Sequence, residues 1–202
     1  FFNINCTNIT DRFLLLTKEF GTVKINASLD GTERVNSYIR HPSDWDKLQV
    51  NFARLVYSDH VILNVTPVIQ IYNIYNIVRL VAYVKHMVEE HIGNNKDVGF
   101  DFLFNTHPKC LDVTILPDEV REKGIRYLKN FRNSCPDYIE GNWLTANSFK
   151  GMIGLLEKDR DPDHKHHMNN FYDYTDSMDM FRKEKFEIMV PDLPNDLAKY
   201  HP

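Results

Sequence analysis

The sequence predicts an α/β protein built on a parallel sheet, either an open sheet or part of a barrel. Three observations carry this reading. Hydrophobic spacing switches repeatedly between a period of two and a helical period over about the first 135 residues. Strand-like and helix-like stretches alternate in units of roughly 20 to 40 residues, the length of βαβ crossovers. The chain has 202 residues, 43% of them hydrophobic, which is enough to enclose a sizeable core.

From the N-terminus, Phe1–Cys6 reads as a strand, and Thr10 caps a helix whose buried face is expected to be Phe13, Leu16 and Phe20. Thr22–Ser28 alternates with Val23, Ile25 and Ala27 on one side and ends in the turn Leu29-Asp30-Gly31. Ser43 with Asp46 resembles a capping box, opening a helix that buries Leu48, Phe52, Leu55 and Val56. His60–Ile69 is strand-like, with pairing interrupted near its end by Pro67. Ile77, Leu80, Val81, Val84 and Val88 repeat at helical spacing, and Val98–Phe104 forms a fourth strand. Leu116-Pro117 opens a helix with Val120, Ile125, Leu128 and Phe131 inside. Behind it, 136–202 reads as a helical extension: Asn147–Lys158 a short helix, Asp159–His167 a charged loop, Asn169–Phe186 a polar helix, and a tail after Pro191. Four βα units in about 135 residues fall short of an eight-unit barrel, which needs roughly 200 to 250.

Composition excludes several functions. With 24 Lys and Arg against 28 Asp and Glu, the chain has no cationic surplus for a nucleic-acid backbone or an anionic membrane. No apolar run approaches the roughly 20 residues that span a bilayer. Cys6, Cys110 and Cys135 are odd in number and far apart, which argues against a disulfide framework and favours a reducing, cytoplasmic setting. Phe1-Phe2-Asn3 carries neither an initiator Met nor a signal peptide and reads as if cut mid-strand. The Asn-x-Ser/Thr triplets at Asn5, Asn8, Asn26 and Asn64 read as chance, since most fall in or just before strand-like runs.

In parallel α/β folds, ligands gather where strands end and loops converge. Those ends carry Thr7 and Asn8, then Ser28, Asp30 and Gly31, then Thr66, Gln70 and Asn73, then Asn105, Thr106 and His107. Hydroxyls, amides and carboxylates suit a ribose, an amino-acid headgroup or a sugar. They suit nucleophilic hydrolysis poorly, because no Ser or Cys stands in a Gly-rich elbow. The plainer reading makes Asp30-Gly31 a turn, Arg40 an ion pair and Asn73 a helix cap. Trp45 reads as a core anchor. His164, His166 and His167 with Asp161 and Asp163 read as a charge-dense exposed loop rather than a metal site.

Taken in order, several segments resemble the radical S-adenosylmethionine (SAM) enzymes, in particular the twitch domain-containing group found in phage and bacterial genomes. Val23–Gly31, with Ser28-x-Asp30-Gly31, is similar to that family's fourth barrel strand. Tyr38-Ile39-Arg40, Trp45-Asp46-Lys47 and Asn51 resemble the family's segment after that strand, and Thr66-Pro67-Val68 with Asn73-Ile74 resembles its fifth strand. Thr7-Asn8 matches the third strand's Thr-Asn-Gly except that Ile9 replaces the glycine. Pro108, Leu116-Pro117, Met178-Asp179, Arg182 and Pro191-Asp192-Leu193 resemble the C-terminal segment.

The resemblance implies a partial (β/α)6 barrel from about the third strand over 1–135, with 136–202 as its helical extension. It implies an enzyme that, when complete, cleaves SAM reductively at a [4Fe-4S] cluster, giving a 5'-deoxyadenosyl radical for hydrogen abstraction from an unknown peptide or small-molecule substrate, with a reductant protein as partner. The cluster's Cys-x3-Cys-x2-Cys ligands are expected upstream of Phe1, and the three scattered cysteines here are not expected to replace them. Ser28 and Asp30 would then hydrogen-bond the ribose or carboxylate of SAM, Arg40 would pair with its carboxylate, and Asn8 and Asn73 would touch ribose or adenine. The competing expectation is a non-catalytic α/β barrel domain serving as a binding or scaffold module.

Overall fold

The computed structural model describes residues 1–92 and 97–201, the side chains of 91 and 92 excepted. Four parallel strands form the main sheet: β1 (Phe2–Ile4), β2 (Val23–Ala27), β3 (Val61–Val65) and β5 (Gly99–Phe100). They lie side by side in chain order. Two short strands, β4 (Val68–Ile69) and β6 (Leu103–Phe104), pair in parallel beyond Thr66-Pro67 and Asp101-Phe102. Val65 faces Phe100 and Val68 faces Leu103, so the register is kept across the break. Pro67 has no N–H for the ladder, and the interruption falls there as its chemistry requires.

Three helices come after the strands, α1 (Asp11–Lys18), α3 (Trp45–Val56) and α4 (Asn76–Ile92), with a short α2 (Glu33–Ile39) before α3. Crossovers between neighbouring parallel strands are right-handed, which gathers such helices on one face. That face is apolar and closed. Val23, Ile25 and Ala27 of β2 and Val61, Leu63 and Val65 of β3 are buried there with Leu48, Phe52, Leu55 and Val56 of α3 and Leu80, Val81 and Val84 of α4.

The C-terminal region contributes α5 (Asp118–Ser134), α6 (Pro136–Glu140), α7 (Trp143–Leu156), α8 (His164–Arg182), α9 (Phe186–Met189) and α10 (Pro194–Leu197). Phe149, Met152 and Phe171 join the same core as the sheet. The free margin of β5 is closed by α7. Thr145 Oγ1 accepts from Phe100 N (3.0 Å), Ser148 Oγ accepts from Phe102 N (2.9 Å), and Ser148 Oγ donates to Phe100 O (2.8 Å). Two serine and threonine hydroxyls thus replace a neighbouring strand.

Several expectations need correction. On α1 the inward residues are Phe13, Leu14 and Thr17, whereas Leu16 is 53% and Phe20 73% exposed. Helical spacing identifies a stripe but not which side meets the core, and α1 flanks the outermost strand. Asp44, not Ser43, caps α3, accepting from Asp46 N at 3.1 Å. The stretch 33–39 forms a helix rather than a polar connection. α7 begins at Trp143 because Asn142 caps it, accepting from Thr145 N at 3.0 Å. His164–His167, expected in a loop, are the first turn of α8.

Candidate functional site

The loops at the C-terminal ends of β2 and β3 form a closed polar network. Once a strand ends, its backbone groups lose their ladder partners and need others if buried. Asp30 Oδ1 accepts from Val68 N at 2.6 Å, and Asp30 Oδ2 lies 2.8 Å from Arg40 Nε. That guanidinium N–H is not aimed along the line, so the contact is an ion pair without a well-formed hydrogen bond. Burial pushes the Asp30 carboxyl above its ordinary value, although the Arg40 charge and the Val68 N–H pull it down. Asn73, fully buried, donates through Nδ2 to Asp30 O (2.8 Å) and Val68 O (2.9 Å), and its Oδ1 accepts from Gln70 N (2.9 Å). Asn36 Oδ1 accepts from Asp30 N at 3.0 Å, and Asn76 Oδ1 from Thr32 N at 2.7 Å. Gly31 sits against that last pair: a Cβ there would stand 2.6 Å from Asn76 Oδ1.

A second polar set is unengaged. The Ser28 backbone donates to Ile4 O at 2.8 Å, which continues the β1–β2 ladder, but its hydroxyl has no partner among the described residues. The Asn8 side chain likewise has none. Both line a hollow of about 430 Å³ at the ends of β1 and β2, with Asn3, Asn5 and Cys6. The Cys6 backbone is held in the left-handed region, φ 59°, and its carbonyl accepts from Asn51 Nδ2 at 3.0 Å. Burial pushes the Cys6 thiol up to about 12, with Arg40 lowering it slightly.

The set continues down the sheet on the side away from the helices. Register puts Asn3, Asn26, Asn64 and Gly99 in one row across all four strands. Asn64 Nδ2 donates to Asn26 Oδ1 at 3.3 Å. Parallel strands covered on both faces read as near-continuous apolar runs, whereas Val23–Ala27 and Val61–Val65 alternate and leave Lys24, Asn26, Ile62 and Asn64 facing outward. Sequence reasoning passed over Lys24, Asn26 and Asn64 as site residues, although the period-two interruption of a parallel strand was the available clue.

The structure therefore brings Ser28 and Asn8 together at one hollow and Asp30, Arg40 and Asn73 together in the adjoining network, where the polar atoms of Asp30 and Asn73 serve the fold and Arg40 pairs with Asp30 through Nε, its terminal nitrogens having no protein partner among the described residues. Other residues singled out in the sequence are structural as well. Tyr38 Oη donates to Asp179 Oδ1 (2.7 Å), Phe186 N donates to Asp179 Oδ2 (2.6 Å), and Arg182 Nη1 donates to Tyr38 O (2.8 Å), tying α8 to α2. Trp45 packs on Tyr83 with ring centroids 5.4 Å apart. Asp161, Asp163 and His167 bring their ligating atoms within 4.8 Å of one another, but Asp161 already pairs with Lys109 Nζ at 3.1 Å.

No protein-family model, curated protein or solved structure matches the chain. Its own cysteines do not fit an iron-sulfur cluster. Cys6 comes after β1, Cys110 lies in a short 3-10 turn and Cys135 ends α5, and the thiol pKa of all three is raised by burial. The Ser28 hydroxyl and the Asn8 carboxamide are polar groups of the hollow with no protein partner among the described residues.

Proposed function

We propose that the chain is the C-terminal part of a radical SAM-type barrel, the α/β sheet forming an arc whose open polar face turns toward SAM and substrate. The observation that supports this reading is the open face itself: a parallel sheet apolar against its helices and lined on the other side by amides, a lysine and a serine. Ser28 and Asn8 would hold SAM through the hydroxyl and the carboxamide, which have no protein partner among the described residues. Asp30 and Asn73 would act on the ligand only by fixing the loop that carries Ser28, and Arg40, held through Nε by Asp30, would offer its terminal guanidinium nitrogens to the SAM carboxylate. When bound, SAM supplies the capacity for hydrogen-atom abstraction. The cluster that activates it would be held by residues other than these three cysteines, with a reductant protein delivering the electron. Free thiols at all three cysteines accord with a cytoplasmic location. Among the described residues no helix is long and apolar enough to cross a membrane.

The test is anaerobic reconstitution of the complete gene product with iron and sulfide, and then assay for 5'-deoxyadenosine under a strong reductant. The expected result is SAM cleavage, with KM for SAM raised several-fold by Ser28→Ala. A product that takes up no iron, or that binds SAM without cleaving it, would overturn the enzyme reading and favour a binding module.

A further inference from the structure

A second cleft lies on the same open face, at the opposite end of the strands from Ser28. It measures about 620 Å³, within the size range of small-molecule sites. Its floor is the start of β5, where Gly99, buried and without a side chain, lets Asn64 and Asn142 pack over the backbone. A Cβ there would stand 3.0 Å from Asn64 Oδ1 and 3.2 Å from the Asn142 amide, so the two asparagines close in over that point. One wall is Lys24, second residue of β2, whose ammonium has no partner among the described residues. The other is Asn142, whose Nδ2 donates to Asp97 Oδ2 at 2.7 Å and retains a second N–H. Asp59 adds a carboxylate with no partner among the described residues. At the rim stands Trp143, 73% exposed although it opens a helix whose other large apolar residues are mostly inside.

The lining chooses among ligand classes. One ammonium against two carboxylates leaves little net charge, which disfavours a polyphosphate and a strong cation alike. Asn142 Oδ1 is spent on Thr145 and one Asn64 N–H on Asn26, which leaves the Lys24 ammonium, one N–H each of Asn142 and Asn64, the Asn64 oxygen and the Asp59 carboxylate to meet the hydroxyls of a ring. An exposed indole supplies a flat apolar plate beside a polar wall, suited to the C–H face of such a ring. Val61, Ile62 and Leu144 supply the rest of the apolar lining beside the indole. We infer that this cleft binds a neutral polyhydroxylated ring, a sugar or the ribose of a nucleoside, stacked on Trp143 and hydrogen-bonded by Lys24, Asn64 and Asn142. The inference requires no SAM chemistry and concerns residues separate from Ser28 and Asn8.

The full chain is titrated calorimetrically with maltose and with adenosine, which separates the two sources of the ring. At least one is expected to bind with a Kd of about 10 mM or tighter, and Trp143→Ala to weaken it about tenfold or more. Lys24→Met should weaken the same ligand; maltose binding should be unchanged by Ser28→Ala, and adenosine, a fragment of SAM, is counted for this cleft only through the binding that survives Ser28→Ala and is lost with Trp143→Ala. Because Trp143 and Lys24 are exposed, both variants should melt as the parent does, which circular dichroism checks. Absence of binding by both probes overturns the inference. So does binding that is lost in Ser28→Ala but retained in Trp143→Ala, since the ligand would then occupy the hollow at the strand ends.

Discussion

Asn73 and Asn64 are the same residue type a short way apart in the chain, and they do opposite work. Asn73 ends the short 3-10 turn Ile71–Asn73 that follows β4, completely buried, with three hydrogen bonds of 2.8 to 2.9 Å to backbone groups. Asn64 lies mid-strand, half-exposed, with one contact of 3.3 Å to another side chain. The strand backbone is already satisfied by its neighbours, so a polar side chain on it is left over, whereas a buried loop backbone must recruit side chains. Loops usually carry function on a rigid scaffold. Here Asp30, Asn73 and Asn76 in the segments after β2 and β3 spend their side chains on the scaffold, whereas Ser28 and Asn8 at the strand ends and the outward residues of β2 and β3 keep polar groups that the fold leaves open.

Substitutions can break this division. A large loss is expected for Asp30→Ala, which leaves the Arg40 guanidinium and the Val68 N–H without their partner, at about 2 to 4 kcal/mol in urea unfolding once the partial exposure of Arg40 is discounted. Gly31→Ala comes next: its methyl displaces the Asn76 amide from Thr32 N, costing about 1 to 3 kcal/mol. A smaller effect depends on pH. The folded-state pKa of Asp30 is raised above 3.8 by burial, so the unfolded chain ionises first and stability falls as pH rises from about 3.8 through the folded value. The stability gap between the parent and Asp30→Asn should change only across that window, in the direction of a less stable parent at higher pH. Melting both proteins at a series of pH values measures it, and a gap that is flat across the window contradicts the assignment. The smallest effect on stability belongs to Ser28→Ala, within about 0.5 kcal/mol, its consequence showing in SAM affinity instead.

Much of the α/β architecture was legible. Val23, Ile25 and Ala27 mark a strand, Leu48, Phe52 and Leu55 a helix face, and Pro67 a break, because each rests on a local rule that the fold leaves intact. Leu16 and Phe20 misled, since the side of a helix that meets the core depends on what else packs there. The candidate site was legible by location but not by role. Strand ends pointed to Ser28, Asp30, Asn8 and Asn73, and the family resemblance added Arg40, yet spacing alone does not tell that Asn73 spends its amide on Asp30 O and Val68 O. Asn26 and Asn64 were visible only as parts of Asn-x-Ser/Thr triplets. Their common row appears once the register of β2 and β3 is known.

The division is tested most directly by melting Asn73→Leu beside Asn64→Leu, two swaps that replace the amide by a branched apolar group with the same number of heavy atoms. Asn73→Leu strands two buried carbonyls and a buried N–H, at about 3 kcal/mol or more, which for a chain of this length lowers Tm by roughly 6 to 12 °C. Asn64→Leu is predicted to melt within about 2 °C of the parent, as a substitution on an open face does. An Asn64→Leu protein that melts as low as Asn73→Leu would show that the open face is packed structure, and would contradict the account.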